Sequence, residues 1–158
     1  MGHLDLVKPL LDELARVHFR RVFMKPGKPL NFATANDTLI FGLPGNPVSA
    51  LVGFEVFIQP AIRAMSGQTR LHHSPLPVIL ATETAPSDRI EYQRAHVGIN
   101  HDGWLVATPN GPQASSRLAS FIGANALLIV PPRDSPYAVG ERLEAMILGP
   151  IEGLPPGD

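Results

Sequence analysis

Thr38-Leu39-Ile40-Phe41, followed by Gly42-Leu43-Pro44-Gly45-Asn46-Pro47-Val48-Ser49, is the stretch that decides the fold of this chain. The first four residues predict a strand, and the Pro/Gly/Asn residues predict a turn. Apolar residues recur at helical spacing from Val48 to Met65, which predicts a long helix. Strand, turn and helix in this order form the first half of a βαβ unit. The sequence therefore predicts an α/β fold.

The start of this helix has the chemistry of an anion site. Pro47 suits the first helical position, where its missing N–H would have no partner in any case. Ser49 falls in the first turn, so its hydroxyl and the neighbouring free amides are predicted to face phosphate, molybdate or another oxyanion. Gly45 allows close approach of the backbone. Gly45 and Asn46 are therefore predicted to lie against this anion.

A second loop, Lys25-Pro26-Gly27-Lys28-Pro29, follows a predicted strand, 18–24. Two ammonium groups on a loop stiffened by proline can hold an anion at low entropic cost. Taken alone, the pentapeptide is more typical of a surface turn with solvated lysines, because short motifs often match by chance. We predict that both loops lie at the carboxyl end of one sheet and face the same anion.

Composition limits the classes of function. The net charge of −1 produces no global field that would attract nucleic acid or an anionic membrane. The chain has no cysteine, which excludes disulfides and thiolate metal sites and fits a reducing compartment such as the cytoplasm. No apolar run reaches the roughly 20 residues that cross a bilayer. His72 and His73 are adjacent and lack a third ligand at suitable spacing, so a metal role is disfavoured.

The remaining pattern predicts a second, β-rich part. A helix over 4–17 precedes the first loop, and 30–37 reads as a connection. Pro60 should divide the long helix near Gln59. Beyond it we predict a helix, 115–122, and five short strands over 77–82, 90–99, 104–109, 126–131 and 142–148. The predicted organisation is half of an α/β domain (1–67), a linker (68–75), a small β-barrel-like domain (76–148) and a flexible tail (149–158).

Both loops and three further segments resemble the molybdenum insertases, that is, the molybdopterin molybdenumtransferase family that includes the E domain of gephyrin. The segments are Met1-Gly2-His3-Leu4-Asp5, Glu91-Tyr92-Gln93-Arg94-Ala95 and the serine-rich stretch from Gln113 to Ala126. The resemblance covers about residues 1–148. It implies a partial three-layer molybdopterin-binding domain followed by a small β domain. It also implies insertion of molybdate into adenylylated molybdopterin with release of AMP, a requirement for Mg²⁺, and a cytoplasmic homodimer.

The resemblance also implies the roles of individual residues. Lys25, Lys28 and Asp5 would be catalytic, and Asp5 would hold the metal. Molybdate would be bound by Lys25, Lys28, Pro29, Ser49, Arg94 and Ser120, and the cofactor precursor by Gly45, Asn46 and Ser49. Three of these residues have an alternative from the residues alone: Asp5 can be a helix cap, Arg94 can lie on an exposed strand face, and Ser120 can be a helix-surface serine.

Family members carry the front half of the α/β domain and further domains, whereas this sequence starts at the Met-Gly pair. We therefore expect a fragment, with an exposed parallel sheet edge, that needs a missing N-terminal portion and does not turn over alone. The rival hypothesis is a non-catalytic module of the same fold that binds an oxyanion or nucleotide or serves as a scaffold, as gephyrin does.

Overall fold

A computed structural model describes residues 7–111, 113 and 121–154 of the chain. Its first part contains helix α1 (Val7–Leu14) and three strands, β1 (Arg16–Phe19), β3 (Asn31–Ala35) and β4 (Thr38–Gly42). These strands form an antiparallel sheet in the order β1-β3-β4. The predicted fold class, an α/β part followed by a small barrel, is confirmed at this level.

The connection predicted over 30–37 is wrong, because most of it is strand β3. Strands β3 and β4 pair from Asn31–Gly42 to Ala35–Thr38 across a two-residue turn. Asn36 in this turn adopts φ = 49°, a left-handed conformation that asparagine tolerates. Parallel strands need a long crossover connection. The two-residue link between β3 and β4 is too short for one, so the two strands form an antiparallel hairpin. The predicted parallel edge is therefore absent from the described sheet.

The long helix that follows β4 is confirmed, and Pro60 divides it as predicted. It consists of helix α2 (Pro47–Gly53), a π-helical segment (Phe54–Ile58) and helix α3 (Gln59–Met65). The Gln59 N–H donates to the Phe54 carbonyl, five residues back. Pro60 has no N–H and its ring crowds the preceding turn, so the widened turn lies where the regular ladder would fail.

Among the described residues, one helix, Pro47–Met65, is long and apolar enough to cross a membrane, as judged by length and composition. The core helix of a soluble protein passes the same test. Val48 and Val52 of this helix are fully buried in the protein.

The second part is a closed barrel of five strands: β5 (Leu76–Leu80), β6 (Ile90–Ile99), β7 (Leu105–Pro109), β8 (Ala126–Val130) and β9 (Arg142–Ile147). The strands pair in the cyclic order β6-β7-β5-β9-β8 and back to β6. Small and branched side chains fill its interior, among them Val78, Leu80, Ala95, Val97 and Leu128. The predicted small barrel is thus present, and closure leaves its strands with few free edges.

Two short strands attach to the barrel through β6. Strand β2 (Met24–Lys25) comes from the first part and pairs in parallel with Ile90 and Glu91. Strand β10 (Glu152–Gly153) pairs in parallel with Gly98 and Ile99. The prediction of a flexible tail from residue 149 is therefore wrong as far as residue 154, because backbone groups at the end of β6 pair with β10. Residues 155–158 lie outside the described residues. The strand predicted over 18–24 is replaced by β1 and β2.

A second apolar cluster packs the long helix against the barrel. This interface cluster comprises Met24, Val52, Leu127 and Met146, with partly buried neighbours that include Val56, Phe57, Ile90 and Tyr92. The linker predicted over 68–75 also contacts the helix, since the Arg63 guanidinium donates to the Leu71 carbonyl at 3.2 Å. The first part and the barrel therefore share a packed boundary. The helix predicted over 115–122 lies largely outside the described residues.

Candidate functional site

The two loops singled out in the sequence line one cavity of about 860 Å³. They come from different sheets, which corrects the prediction that they end one sheet. The first loop follows β2, which pairs with the barrel, whereas the second follows β4 of the antiparallel sheet. The first loop nevertheless lies close to the helix: a Cβ placed on Gly27 would lie 3.6 Å from the Ser49 carbonyl oxygen. Packing at this boundary brings the loops together.

Six of the predicted site residues line this cavity: Lys25, Lys28, Pro29, Gly45, Asn46 and Ser49. The described lining adds side chains that the prediction did not include, notably Lys8, Asn31 and Gln113. Arg94 does not contribute to the described lining. Asp5 and Ser120 lie outside the described residues, so their roles stay predictions.

Lys25 is held by a carboxylate that sequence reasoning missed. Its ammonium nitrogen lies 3.1 Å from Oε2 of Glu91, and β2 and β6 place the two residues side by side in register. The Glu91 side chain is 4% exposed, against 53% for Lys25. An acidic residue three positions before Arg94 was visible in the sequence, but only the pairing of β2 with β6 reveals its partner.

Lys28 differs from Lys25 in its surroundings. Its side chain is exposed and makes no hydrogen bond or ion pair to another residue in the part of the chain that the structure describes. Its carbonyl accepts hydrogen bonds from the Val22 and Leu30 amides at 3.0 and 3.1 Å, which fixes the loop backbone. Lys28 is thus a cation on a well-anchored loop, available to an anion in the cavity.

The amides at the start of α2 are not free, which corrects the prediction for this position. Asn46 is the N-cap, and its Oδ1 accepts from the Val48 and Ser49 amides at 3.1 and 3.4 Å. An asparagine side chain satisfies at this position the donors that an anion would otherwise take. Ser49 itself is buried and lines the cavity, so its hydroxyl rather than its amide is the group suited to a ligand.

Gln113 connects the cavity to Arg94. It lines the cavity, and its side-chain amide forms two bonds with the backbone of Arg94: the Arg94 N–H donates to Oε1 at 2.9 Å, and Nε2 donates to the Arg94 carbonyl at 3.1 Å. The backbone of Arg94, the residue predicted for oxyanion recognition, is therefore hydrogen-bonded to a residue that lines the cavity.

Arg94 is fully buried, so the alternative of an exposed strand face is wrong. Its guanidinium carbon lies 5.9 Å from the centre of the Phe121 ring, beside the interface cluster. Burial lowers the pKa of the Arg94 guanidinium, while the negative charge of Glu91 acts to raise it. Glu91 is thus within electrostatic reach of both cations, Lys25 and Arg94.

Asn31 is a further polar residue at the cavity. Its Nδ2 lies 3.5 Å from the Gly42 carbonyl, across the β3–β4 pair. Its Oδ1 is buried and has no hydrogen-bond partner within the described ranges. A buried acceptor without a hydrogen-bond partner costs stability, so a donor group of a ligand in the cavity would stabilise it.

The described lining does not fit a magnesium ion. It holds cationic and neutral side chains and no carboxylate, whereas Mg²⁺ prefers oxygen ligands of that type. Nor do residues 7–111, 113 and 121–154 contain any group of three His, Asp or Glu side chains arranged to hold a metal. The expected Mg²⁺ site thus depends on Asp5, outside these residues. His73 is engaged elsewhere, with its Nε2 2.6 Å from Oε1 of Gln59.

Comparison with known protein families gives two matches along the chain. Residues 1–64 match a probable molybdopterin binding domain. Residues 78–148 match the MoeA C-terminal region (domain IV). The junction between the two matches coincides with the segment between α3 and the barrel.

Individual relatives agree with these matches. The chain is 39% identical over 175 residues to gephyrin of Dictyostelium discoideum, covering 96% of this chain and 24% of the relative. It is 32% identical over 145 residues to the molybdopterin molybdenumtransferase of Haemophilus influenzae, covering 90% and 36%. A crystal structure of a molybdopterin biosynthesis MoeA protein from Pyrococcus horikoshii superposes with a TM-score of 0.72 at 24% identity, covering 92% of this chain and 35% of that one. The chain spans about a quarter to a third of the length of the curated relatives it matches.

Proposed function

The chain belongs to the molybdenum insertase family, the molybdopterin molybdenumtransferases, and we propose that it takes part in inserting molybdate into adenylylated molybdopterin with release of AMP. One observation carries the proposal. The two loops quoted from the sequence line a single cavity with two lysines and a buried serine. Molybdate is a tetrahedral dianion, and ammonium groups with a hydroxyl donor suit its charge and its acceptor oxygens.

Each residue that lines the cavity has a distinct role in this proposal. Lys28, exposed and fixed through its backbone, makes the first contact with the oxyanion, and Lys25 adds a second positive charge. Ser49 donates a hydrogen bond, and Pro29 shapes the wall. Gly45 has open space in front of its Cα, so its backbone admits a phosphate of the pterin substrate closely. A lysine beside the phosphoanhydride stabilises the charge that develops on the departing AMP.

The remaining predicted roles complete this proposal. Arg94 and Ser120 would add donors to molybdate from the barrel side, and Asn46 would contact the cofactor precursor while capping α2. Asp5 would supply the carboxylate for Mg²⁺. A cytoplasmic homodimer is proposed on the family resemblance. Light scattering of the purified chain tests the dimer, and metal chelation during turnover tests the Mg²⁺ requirement.

Molybdate-dependent release of AMP from adenylylated molybdopterin tests the function. In the chain combined with the N-terminal portion that the resemblance predicts it to need, we expect Lys28→Ala to lower the release about ten- to a hundredfold, the effect of removing one charged hydrogen bond. Lys28→Arg should recover part of it. Arg21→Ala, which removes an exposed cation that does not line the cavity, is the matched control and should leave the release unchanged. Release that does not depend on molybdate, or that Lys28→Ala leaves intact, contradicts the proposal.

A non-catalytic oxyanion-binding module of the same fold is the second candidate. The described lining favours it in one respect, since it supplies cations for an oxyanion but no carboxylate or histidine for acid–base work. Saturable binding of molybdate without AMP release, by a folded chain combined with the predicted N-terminal portion, would support this second candidate over the enzyme.

A further inference from the structure

We propose that Glu91 is a positioning residue of the oxyanion site: its carboxylate holds Lys25 against the barrel and offsets part of the positive charge that an incoming oxyanion meets. The inference rests on the proposed function for the identity of the anion. It concerns a residue to which the family resemblance gives no role.

The geometry begins with the backbone. Strand β2 is two residues long, and its pairing with β6 sets Lys25 beside Glu91 and Met24 beside Ile90. The 3.1 Å contact from Nζ to Oε2 then ties the side chains together. A flexible, half-exposed lysine is thereby fixed by an almost fully buried partner, which reduces the entropy that it loses when it binds an anion.

Because Glu91 is buried, its negative charge must be compensated by neighbouring cations. A carboxylate removed from water is costly unless cations compensate it. Glu91 has one in Lys25, and its charge also acts on the buried guanidinium of Arg94. Lys8, Lys25 and Lys28 line the cavity and Arg94 is buried beside Glu91, so the Glu91 carboxylate offsets one of several positive charges around the site.

An oxyanion that binds Lys25 therefore competes with Glu91. The carboxylate weakens the binding of the anion, because like charges repel across a short distance in a partly desolvated site. In return, it keeps the ammonium where the reaction needs it. Removal of the charge should thus tighten binding and slow turnover, two effects in opposite directions that simple damage to the fold would not produce.

Glu91→Gln is the first test, because glutamine keeps the size of the side chain and an oxygen that accepts from Lys25. Titration calorimetry with molybdate, and with sulfate as a second tetrahedral dianion, should show a dissociation constant about three- to tenfold lower than in the unmodified chain. Glu144→Gln makes the same change at an exposed position of β9 and should alter nothing. Unchanged or weaker binding by a folded Glu91→Gln chain overturns the proposal.

A double-mutant cycle with Lys25→Gln shows whether Glu91 acts through Lys25. Lys25→Gln alone should weaken binding strongly, because it removes a cation from the cavity and leaves Glu91 without its ion-pair partner. The addition of Glu91→Gln should recover part of that loss, and strictly additive effects would contradict the coupling. If Glu91→Gln does not fold, Glu91→Asp keeps the charge with a shorter reach, and it should keep the dissociation constant near that of the unmodified chain.

Kinetics separates this proposal from the proposed function. In an active chain, Glu91→Gln should lower both KM for molybdate and kcat for AMP release. A chain that releases no AMP even when combined with the predicted N-terminal portion, but binds molybdate more tightly after Glu91→Gln, would refute the proposed reaction and leave the role of Glu91 in oxyanion binding intact.

Discussion

Arg133 and Glu141 show how one ion pair fixes a barrel loop. The Arg133 guanidinium donates to both carboxylate oxygens of Glu141, at 2.8 and 2.9 Å, and the Ala138 amide donates to the same carboxylate at 2.7 Å. The guanidinium also stacks over the Tyr137 ring, 3.9 Å from its centre. Hydrogen bonds from Arg133 and Ala138 lower the pKa of the Glu141 carboxyl from 4.5 to about 2.

The lowered pKa predicts a pH-dependent contribution to stability. The unfolded chain binds the Glu141 proton more tightly than the folded one, so the stabilisation is fully present above pH 4.5 and is lost as the pH falls towards 2. Glu141→Gln should therefore lower the free energy of unfolding at pH 7, and its difference from the unmodified chain should shrink between pH 4.5 and 2. Urea denaturation across this range measures it; a difference independent of pH contradicts the prediction.

The sequence predicted the position of a single residue wherever the neighbouring residues of the same motif already indicate its role. Lys25, Lys28 and Ser49 belong to loops whose Pro and Gly content already suggests a ligand site, and all three line the cavity. Glu91 was missed because its role depends on a lysine 66 positions away. No local pattern predicts that Arg94 is buried, because both faces of its strand carry polar as well as apolar side chains.

At the scale of the element, Asn46 decides how α2 begins. Asn46→Ala removes the acceptor for two backbone amides and should cost about 0.5–2 kcal/mol of stability. Asn46→Asp keeps the acceptor and adds a negative charge at the helix start, so its stability should match or exceed that of the unmodified chain. Chemical denaturation of the three proteins makes the comparison. Equal stability of the alanine and asparagine forms would show that the cap contributes nothing.

The same pair of variants bears on the predicted contact of Asn46 with the cofactor precursor. A new negative charge at the cavity should weaken the binding of an anionic substrate even where the fold is intact. Asn46→Asp is therefore expected to separate the two roles, with stability retained and molybdate affinity reduced.

The long helix was predicted more accurately than the sheet of the first part. The long helix follows from a sustained apolar period and its division follows from Pro60, both of which are local properties. Strand β3 was missed because Asn31–Ala35 is only five residues long and follows a loop rich in proline. The Asn36-Asp37 pair is typical of a hairpin turn, but the strand, turn and helix from β4 onwards favoured a βαβ unit instead.

At the scale of the whole molecule, the interface cluster joins the two parts that form the cavity. Leu127 is fully buried there, while Leu14 in α1 is 63% exposed. Leu127→Ala should lower the free energy of unfolding by about 2–5 kcal/mol, as expected for a buried leucine. Leu14→Ala is the matched control and should stay within about 0.5 kcal/mol.

Molybdate binding gives this prediction a second readout. Loosening the contact between the long helix and the barrel should also weaken the site, because its loops come from both sides of that contact. A Leu127→Ala chain that loses stability but binds molybdate normally would show that the cavity is held by the loops alone.

The two-part organisation could be predicted from the sequence, whereas the way the parts join could not. A change from helical to strand patterning after Gly67 separates them along the chain. Their junction depends on Met24, Val52 and Leu127, which are far apart in sequence and share nothing but burial. Packing of this kind is a property of the assembled molecule.

The attachment of β2 to β6 has a practical consequence. The residues before the linker carry β2, and the residues after it carry the β6 edge that receives β2, so a break within 68–75 would separate two pieces with matching hydrogen-bonding edges and matching apolar faces. The chain is therefore suited to fragment complementation. Two halves produced separately, each fused to one half of a reporter, would regain the signal only by rebuilding the shared sheet, and small molecules that occupy the cavity could be detected by their effect on reassembly.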